Sequence, residues 1–347
     1  MKYLKFIILL ILVIVLLYFF FQNVEFGKVL TIIKNVNPVY IIIFIGGLYT
    51  QFFIRAYRWG ILFRPFKKKI SIMNLYHYSL IGMFINMLIP GRIGEPARGI
   101  LIAKEEGFET GSGLATIVIE RMIDSLMIIL LFFTSLLFID STNSILLEKL
   151  KAGGVIFLPV VMMIFLMFYL INIPSVFNIV ERMLMFVMKI VPERSRVKLT
   201  AFFVDFIRGL KLKLGFTDSL KLLFSSILVW VYLVPFYWFL MQGFSFGTSV
   251  SLIEAIPYFS LIVMSAAIPT PGMAGSLDAA SKHGLLELYK NSAGQSIVNV
   301  NEAAAYTLLV HVLIIIVIVI PGFISFSSKG VKMSSIKKVG EKSDEMS

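Results

Sequence analysis

The amino-acid sequence predicts an all-α polytopic membrane protein. Apolar side chains make up 58% of its 347 residues, the mean hydropathy is +0.90, and charged residues make up only 15%, whereas soluble proteins carry about a quarter. Long uncharged stretches recur along the chain, and about 20 apolar residues are enough for a helix to cross the hydrocarbon. We expect about six full transmembrane helices and two re-entrant helical hairpins, arranged as inverted repeats.

The positions of the basic residues predict how the spans are oriented. Lys and Arg cluster at the N-terminus, after the second span, at 181–221 and after residue 328. Cytoplasmic loops are rich in Lys and Arg, so we expect a multi-pass cell-membrane protein with both termini in the cytoplasm. The net charge of +12 therefore reflects topology, and no nucleic acid is expected as a partner. The predicted spans lie at about 4–22, 38–57, 113–139, 153–173, 221–242 and 301–326.

A single membrane domain is predicted for residues 1–326. Repeat one covers about 38–139 and repeat two about 221–326. The connector between them, at about 178–215, mixes apolar and basic residues at helical spacing, which predicts two amphipathic helices on the inner leaflet, broken at Pro192; an ordinary cytoplasmic loop is the alternative. The polar tail at 327–347 is expected to be disordered and cytoplasmic.

Two interruptions of the apolar pattern resemble each other, "LIPGRIGEPAR" at 88–98 and "IPTPGMAGSLD" at 268–278. The apolar run before the first spans about 22 Å as a helix, which is too short for a full crossing. Each interruption therefore predicts two half-helices that meet at a Pro/Gly turn. At an offset of 181 residues the first turn repeats in the second, and at 182 an acid repeats in the span that follows: Pro90, Gly91, Gly94 and Glu120 match Pro271, Gly272, Gly275 and Glu302.

The charges of the first interruption predict an anion site. A half-helix that begins near Glu95 would direct free N–H groups and its positive end toward the membrane centre. Arg92 and Arg98 add full positive charge, and their guanidinium groups suit a phosphate. We expect a second such half-helix near Ser276. An anionic or phosphate-bearing lipid headgroup is the natural ligand.

The span that follows carries three charges in "IVIERMIDSL". Each charge at the centre of a span costs about 2.5–3.5 kcal/mol on insertion scales, so partners are expected. Arg121 is predicted to pair with Glu95, and Glu120 or Asp124 with one of the two arginines of the turn; alternatively, these pairs only fasten the hairpin to its neighbour. The predicted substrate-binding residues are Gly91, Arg92, Gly94, Glu95, Arg98, Glu120, Arg121, Asp124, Gly272, Gly275, Ser276 and Asp278.

No catalytic residue, cofactor or metal site is expected. The chain contains no Cys, so disulfides and thiolate chemistry are excluded. His77, His283 and His311 have no metal-ligand spacing. His311 lies within the last span and is expected to be a buried, hydrogen-bonded histidine, with a proton site as the alternative. Arg55, Arg58 and Arg64 are expected to extend toward the membrane surface.

Residues 88–126, "LIPGRIGEPARGILIAKEEGFETGSGLATIVIERMIDSL", resemble the signature half of the lysylphosphatidylglycerol synthetase membrane-domain family, which has P-G-R-x-G-E, a nearby arginine and E-R-x-x-D. "PTPGMAGSLDAAS" and "NEAAAYTLLVH" resemble the second half less specifically, and the resemblance covers most of 5–326. It implies a flippase-like domain of a bacterial or archaeal inner membrane. In the best-known members a soluble aminoacyl-transferase domain follows; with 21 residues after Phe326, we do not expect such a domain or its synthetase activity here. Asp278 replaces the family's usual glutamate, and His311 stands where an arginine is common.

The sequence thus predicts a lipid flippase or translocase that is not an enzyme and has no energy source of its own. Membrane lipids are its expected partners, and a homo-oligomer is compatible with this reading. Two alternatives stay open: a non-transporting partner of a separate lipid-modifying enzyme, and a membrane-embedded lipid transferase or phosphatase with Glu95 or Asp124 as acid or base.

Overall fold

The protein is built of helices joined by turns throughout the residues that the computed structural model describes, which are 2–66, 70–89, 91–136, 159, 163, 166, 170, 173–188, 193–210, 214–266, 268, 270–291 and 293–331. The helices are α1 (Lys2–Phe21), α2 (Phe26–Asn35), α3 (Pro38–Leu62), α4 (Ile72–Leu88), α5 (Gly94–Glu106), α6 (Thr110–Leu136), α7 (Pro174–Met188), α8 (Glu193–Gly209), α9 (Phe216–Val231), α10 (Val234–Met241), α11 (Ala255–Ser265), α12 (Ser276–Leu288) and α13 (Val300–Ser328).

Three helical stretches, α3, α9–α10 and α13, are long and apolar enough to cross a membrane. A fourth is added if α1 and α2, which are bent by 76° relative to each other, form one broken span. Helix α6 has 27 residues but carries three charged side chains. The all-α, multi-pass membrane class is therefore as predicted, but the count of six full spans is not confirmed. The predicted span at 153–173 lies almost wholly outside the described residues.

The predicted span at 221–242 is a broken helix. Helix α9 ends at Val231 and α10 begins at Val234 with Pro235 in its first turn. Proline lacks the N–H that a continuous helix needs but fits the first turn of a new one.

The first interruption forms an antiparallel helical hairpin of α4 and α5. Asn74 near the start of α4 donates to Glu106 at the end of α5 with an N–O distance of 3.0 Å. Near the turn, a Cβ added to Gly94 would lie 2.0 Å from the carbonyl oxygen of Gly82, so the two backbones touch there. Helix α5 then meets α6 in the same way, because a Cβ on Gly113 would lie 2.3 Å from the Gly99 oxygen.

The second interruption forms a hairpin of α11 and α12. The hydroxyls of Tyr258 and Ser281 lie 2.6 Å apart, and Tyr289 at the far end donates to the Glu254 carbonyl oxygen over 3.1 Å. These pairs run antiparallel, as in the first hairpin. That both hairpins are re-entrant in a membrane remains a prediction.

Both turns contain two successive residues in the left-handed region. The φ angles are +88° and +55° at Gly91 and Arg92, and +58° and +61° at Gly272 and Met273. A residue with a side chain seldom adopts this conformation. This pair of positive φ angles recurs at the offset of 181 residues; the inverted repeat itself stays a prediction.

The connector contains α7 and α8, two helices on either side of residues 189–192, which the structure does not describe. Helix α8 packs on α6, where a Cβ added to Gly111 would lie 2.6 Å from the Phe202 oxygen. Apolar side chains of α7, such as Met183 and Phe186, are exposed, as an amphipathic helix on a leaflet would require. Helix α13 ends at Ser328, inside the predicted tail, whose residues 332–347 lie outside the described part.

Candidate functional site

Five arginines and three carboxylates meet where α3, α5 and α6 pack around the first turn. The side chain of Arg58 is 0% exposed, and those of Glu120 and Asp124 are 1% and 4% exposed. Charges at this depth are costly unless they are paired, so their contacts define the cluster. Its members are Arg55, Arg58, Arg92, Arg98, Arg121, Glu95, Glu120 and Asp124.

Asp124 has the most partners in the cluster. It accepts from Arg58 Nη1 over 2.5 Å, from the indole Nε1 of Trp230 over 3.0 Å and from Arg55 Nη2 over 3.4 Å. Its Oδ2 also lies 2.7 Å from Arg121 Nη2. One carboxylate of α6 thereby ties together three helices.

Glu120 links α5, the helix that follows the first turn, to α3. Arg98 Nη2 donates to it over 2.8 Å and Arg58 Nη2 over 3.2 Å. The guanidinium carbon of Arg98 also lies 4.4 Å from the centre of the Trp59 ring, a cation–π contact. The predicted pairing of Glu120 with an arginine of the turn is therefore present.

Glu95 joins the two cluster arginines that are most exposed. Arg121 Nε lies 3.5 Å from Glu95 Oε2, as predicted. Arg92 Nη1 lies 3.9 Å from Glu95 Oε1, and the Arg92 side chain is 36% exposed. Arg92 is thus the member of the cluster with the weakest carboxylate contact.

The expectation that Arg55, Arg58 and Arg64 reach the membrane surface is wrong for Arg58 and Arg55. Arg58 is enclosed between two carboxylates, and the Arg55 side chain is only 12% exposed. In apolar surroundings a buried carboxylate at the same depth binds a guanidinium better than the distant surface does. Arg64, near the end of α3, pairs with Asp218. The i, i+3 spacing of Arg55 and Arg58 on one helix face is the signal that could have predicted their shared partner.

A cavity of about 450 Å³ lies between the two turns. The charged and most of the polar groups that line it come from α3, the first hairpin and α6: Gln51, Arg55, Asn86, Arg92, Glu95, Arg98, Arg121 and Asp124. Apolar residues of the same elements, such as Leu48, Phe52 and Ile128, also line it. The wall from the second half of the chain is mostly apolar and includes Trp230, Phe259, Ile262, Thr270, Gly272, Met273, Leu277, Ile314 and Ile318.

Six of the twelve predicted site residues line this cavity, namely Arg92, Glu95, Arg98, Arg121, Asp124 and Gly272. The other six do not line it: Gly91, Gly94, Glu120, Gly275, Ser276 and Asp278. Gly94 is packed on Gly82 of α4. A Cβ on Gly275 would lie 2.8 Å from the Leu16 Cβ of α1. Both glycines allow close helix packing, which a sequence motif does not distinguish from ligand contact.

The backbone at the start of α5 does not offer the free N–H groups that the sequence suggested. The Gly94 N–H donates to Asn86 Oδ1 over 2.8 Å, the Glu95 N–H donates to the Arg92 oxygen over 3.3 Å, and Pro96 has no N–H. At the second turn the Gly275 N–H donates to Asp278 Oδ2 over 2.8 Å, and this carboxylate occupies the positive end of α12. Arginine side chains therefore supply the positive charge of the cavity.

The second turn is held by His311 of α13. Its Nδ1 lies 2.7 Å from Asp278 Oδ1 and its Nε2 lies 2.8 Å from the Gly272 carbonyl oxygen, so the predicted buried, hydrogen-bonded histidine is observed. Glu302 is not the counterpart of Glu120, because it lies two residues into α13 and accepts from Ser245. His311 lies about as deep in its helix as Glu120 does.

In the described part of the chain no group of three or more His, Cys, Asp or Glu side chains could hold a metal ion.

Relatives of the chain are membrane proteins of archaea. Two UPF0104 membrane proteins of Methanocaldococcus jannaschii are 31% identical over 110 residues and 35% identical over 85 residues. These matches cover 31% and 24% of this chain and 32% and 36% of the relatives, so the chain spans about a third of their length. A UPF0104 membrane protein of Methanothermobacter thermautotrophicus is 24% identical over 285 residues, which are 78% of this chain and 80% of that protein. No solved structure matches the chain.

The cavity lies beside the first hairpin, and α6 carries the E-R-x-x-D motif. Both features lie within the part of the chain that matches one protein family. The family described as the lysylphosphatidylglycerol synthase TM region matches residues 6–322, and the chain belongs to this family.

Proposed function

We propose that the protein moves a phosphate-bearing polar lipid between the leaflets of a membrane, with the headgroup held in the cavity between the two hairpins. One observation carries this proposal. Five arginines and three carboxylates form the cluster, and their formal charges leave an excess of two positive charges. Its members Arg58, Glu120 and Asp124 are buried, while Arg92 is 36% exposed. An uncompensated charge is costly in apolar surroundings, and an anion in the cavity would offset that cost.

The two walls of the cavity favour a lipid over a small soluble anion. The charged groups from the first half of the chain suit a headgroup, while the mostly apolar wall of Phe259, Ile262 and Ile314 suits the apolar part of an amphiphile. A volume of about 450 Å³ lies within the range of about 300–1,000 Å³ that is usual for small-ligand sites. The acyl chains would remain in the surrounding bilayer.

Arg92 and Arg55 are the arginines with room for a phosphate. Both line the cavity, and each has a single carboxylate contact longer than 3.3 Å, at 3.9 and 3.4 Å. Arg98, Arg121, Glu95 and Asp124 would orient them. A rocking motion of one repeat against the other would then change the side to which the headgroup is exposed, with a gradient, the membrane potential or lipid mass action as the drive.

Leaflet exchange in reconstituted liposomes tests the proposal. Fluorescent anionic and zwitterionic phospholipids are followed in liposomes with wild type, Arg92→Ala and, as a matched control, Arg208→Ala, whose side chain is 62% exposed on α8. Wild type is expected to exchange at least one headgroup class. Arg92→Ala should slow this about tenfold or more, since a hydrogen bond to a charged group is worth about 1.5–3 kcal/mol. Arg208→Ala should match wild type.

Two outcomes would contradict the proposal. One is that wild type moves none of the headgroups, and the other is that folded Arg92→Ala moves them at the wild-type rate.

A further inference from the structure

A buried pair, His311 of α13 and Asp278 of α12, lies beside the second turn and has no role in the proposed headgroup site. His311 and Asp278 have side chains that are 9% and 4% exposed. The two ring nitrogens of His311 each face an acceptor, the carboxylate oxygen of Asp278 at 2.7 Å and the carbonyl oxygen of Gly272 at 2.8 Å.

These two contacts determine how many exchangeable protons His311 and Asp278 hold together. A carbonyl oxygen can only accept, so His311 Nε2 carries a hydrogen. The contact between Nδ1 and Asp278 Oδ1 also needs a hydrogen, which belongs either to the ring or to the carboxyl. The pair therefore holds two exchangeable protons, one more than a neutral imidazole beside a carboxylate. When one proton leaves, one of the two contacts brings lone pairs together and must open.

The contact that opens is the one to the turn. Asp278 is fixed at the start of α12 because its Oδ2 also accepts from the Gly275 N–H over 2.8 Å, so the Gly272 contact is the freer one. Gly272 adopts its left-handed φ angle freely, but Met273 has one too, and a residue with a side chain keeps that conformation only when its surroundings hold it. Both residues line the cavity. Loss of the proton would thus release the turn that faces the headgroup.

Of the other charged groups and histidines on the helices packed around α13, Lys34 of α2 and His283 of α12 are exposed, Glu287 of α12 pairs with Lys290, and the rest have partners of their own. These helices are α2, α3, α4 and α12. The paired groups are Lys28 with Glu25, Arg55 and Arg58 with Asp124, His77 with the Ser325 hydroxyl, and Lys282 with the carbonyl oxygens of Phe19, Phe20 and Gln22. Across the cavity, Arg92 faces the same space as Gly272. A change of charge at His311 therefore acts first on Asp278 and on the Gly272 turn.

We propose that His311 and Asp278 form a proton-binding site that couples lipid movement to proton binding. This inference rests on the proposed function. With the proton bound, the turn is fixed; after the proton has passed to water, the turn can move with its hairpin. Only N–H and O–H bonds to water and to the pair change, so no further reactant is needed.

The first test measures leaflet exchange in the same liposomes across about pH 5–8, the range in which an imidazole changes its charge. The variants are His311→Gln and, as a control on the neighbouring helix, the exposed His283→Gln. The wild-type rate is expected to change about tenfold, as the protonated fraction of one group does over two pH units. His283→Gln should keep this profile, and His311→Gln should lose it. The inference is overturned if wild type exchanges lipid equally across the range, or if His311→Gln keeps the wild-type profile.

A second measurement does not depend on transport. Nitrogen NMR of labelled histidine, assigned with His311→Gln, reports the ring protons, and the methyl signal of Met273, assigned with Met273→Leu, reports the turn. We expect one pH step to remove a proton and to shift the Met273 methyl with the same midpoint. A His311 ring that does not titrate, or a Met273 methyl that stays unchanged while it does, would overturn the inference. If wild type moves no lipid but these signals shift together, the proposed function fails while the proton site stands.

Discussion

The turns at 91–92 and 272–273 both have two successive positive φ angles, but the side chains at and after them bring opposite charges to the helices packed around them. At the offset of 181 residues, Arg92 of the first hairpin corresponds to Met273 of the second, and Arg98 corresponds to Ala279. The first half-helix brings cations to carboxylates on its neighbours, whereas the second brings the carboxylate of Asp278 to a histidine on α13.

This difference indicates that the backbone of the turn does not determine which charged side chains surround it. Close helix contacts and left-handed residues make the turn, and neither needs a charged side chain. The charged side chains of the hairpin instead depend on partners in neighbouring helices, since Arg98 is held by Glu120 of α6. Under our two proposals, similar turns would serve an anion site in one half and a proton site in the other.

The largest expected effect is on the charge cluster of the first half. Asp124→Asn keeps the size of the side chain and removes the charge that several arginines share. Breaking a buried pair in this way costs about 3–5 kcal/mol, so the thermal unfolding midpoint in nanodiscs should fall strongly. The matched control is Glu25→Gln, which removes a carboxylate from an exposed pair with Lys28, whose side chains are 61% and 64% exposed; its midpoint should equal that of wild type. A wild-type midpoint for Asp124→Asn would show that the cluster does not hold the three helices together.

The next largest effect on stability is expected where α4 packs against α5 in the first hairpin. Gly94→Ala would place a methyl group 2.0 Å from the Gly82 oxygen, and backbone cannot move aside cheaply. We expect a loss of about 1–3 kcal/mol in the free energy of unfolding. Gly46→Ala is the control, because a Cβ there meets no atom within 4 Å and alanine favours a helix. Equal stability of the two variants would contradict the close contact of α4 with α5.

A smaller effect is expected where the second hairpin binds α1. Lys282 Nζ donates to the carbonyl oxygens of Phe20 and Gln22 over 2.6 and 2.8 Å, and a cation at a helix C-terminus contributes up to about 2 kcal/mol. Lys282→Met should speed hydrogen exchange of α1 by about tenfold, equivalent to about 1.4 kcal/mol, and leave α3 unchanged. Lys290→Met, which removes a pair with Glu287 at the far end of the same hairpin, is the control. Unchanged exchange in α1 would show that the lysine does not anchor it.

Composition and Pro/Gly spacing were enough to predict the helical class, the two interruptions and helix starts near 95 and 276, which the structure places at Gly94 and Ser276, because these follow from local rules. The pairing of Arg121 with Glu95 was predictable because the two residues lie on consecutive elements, α5 and α6. Arg58 was misplaced because its partners lie 62 and 66 residues away, and its spacing with Arg55 indicates a shared helix face without identifying the helix that it meets. The same limit applied to Gly94, because its neighbour in space decides whether the glycine packs against another helix or contacts a ligand.

The central claim is that the first hairpin, and not the second, supplies the charge that binds the headgroup. The most direct measurement is the rise in unfolding midpoint caused by a short-chain, water-soluble phosphatidylglycerol, because a ligand that binds the folded state stabilises it in proportion to its affinity. Wild type, Arg92→Met and the matched control Met273→Leu are compared. We predict that Met273→Leu binds like wild type and that Arg92→Met binds about tenfold or more weakly. Equal affinity of Arg92→Met and wild type would contradict the account.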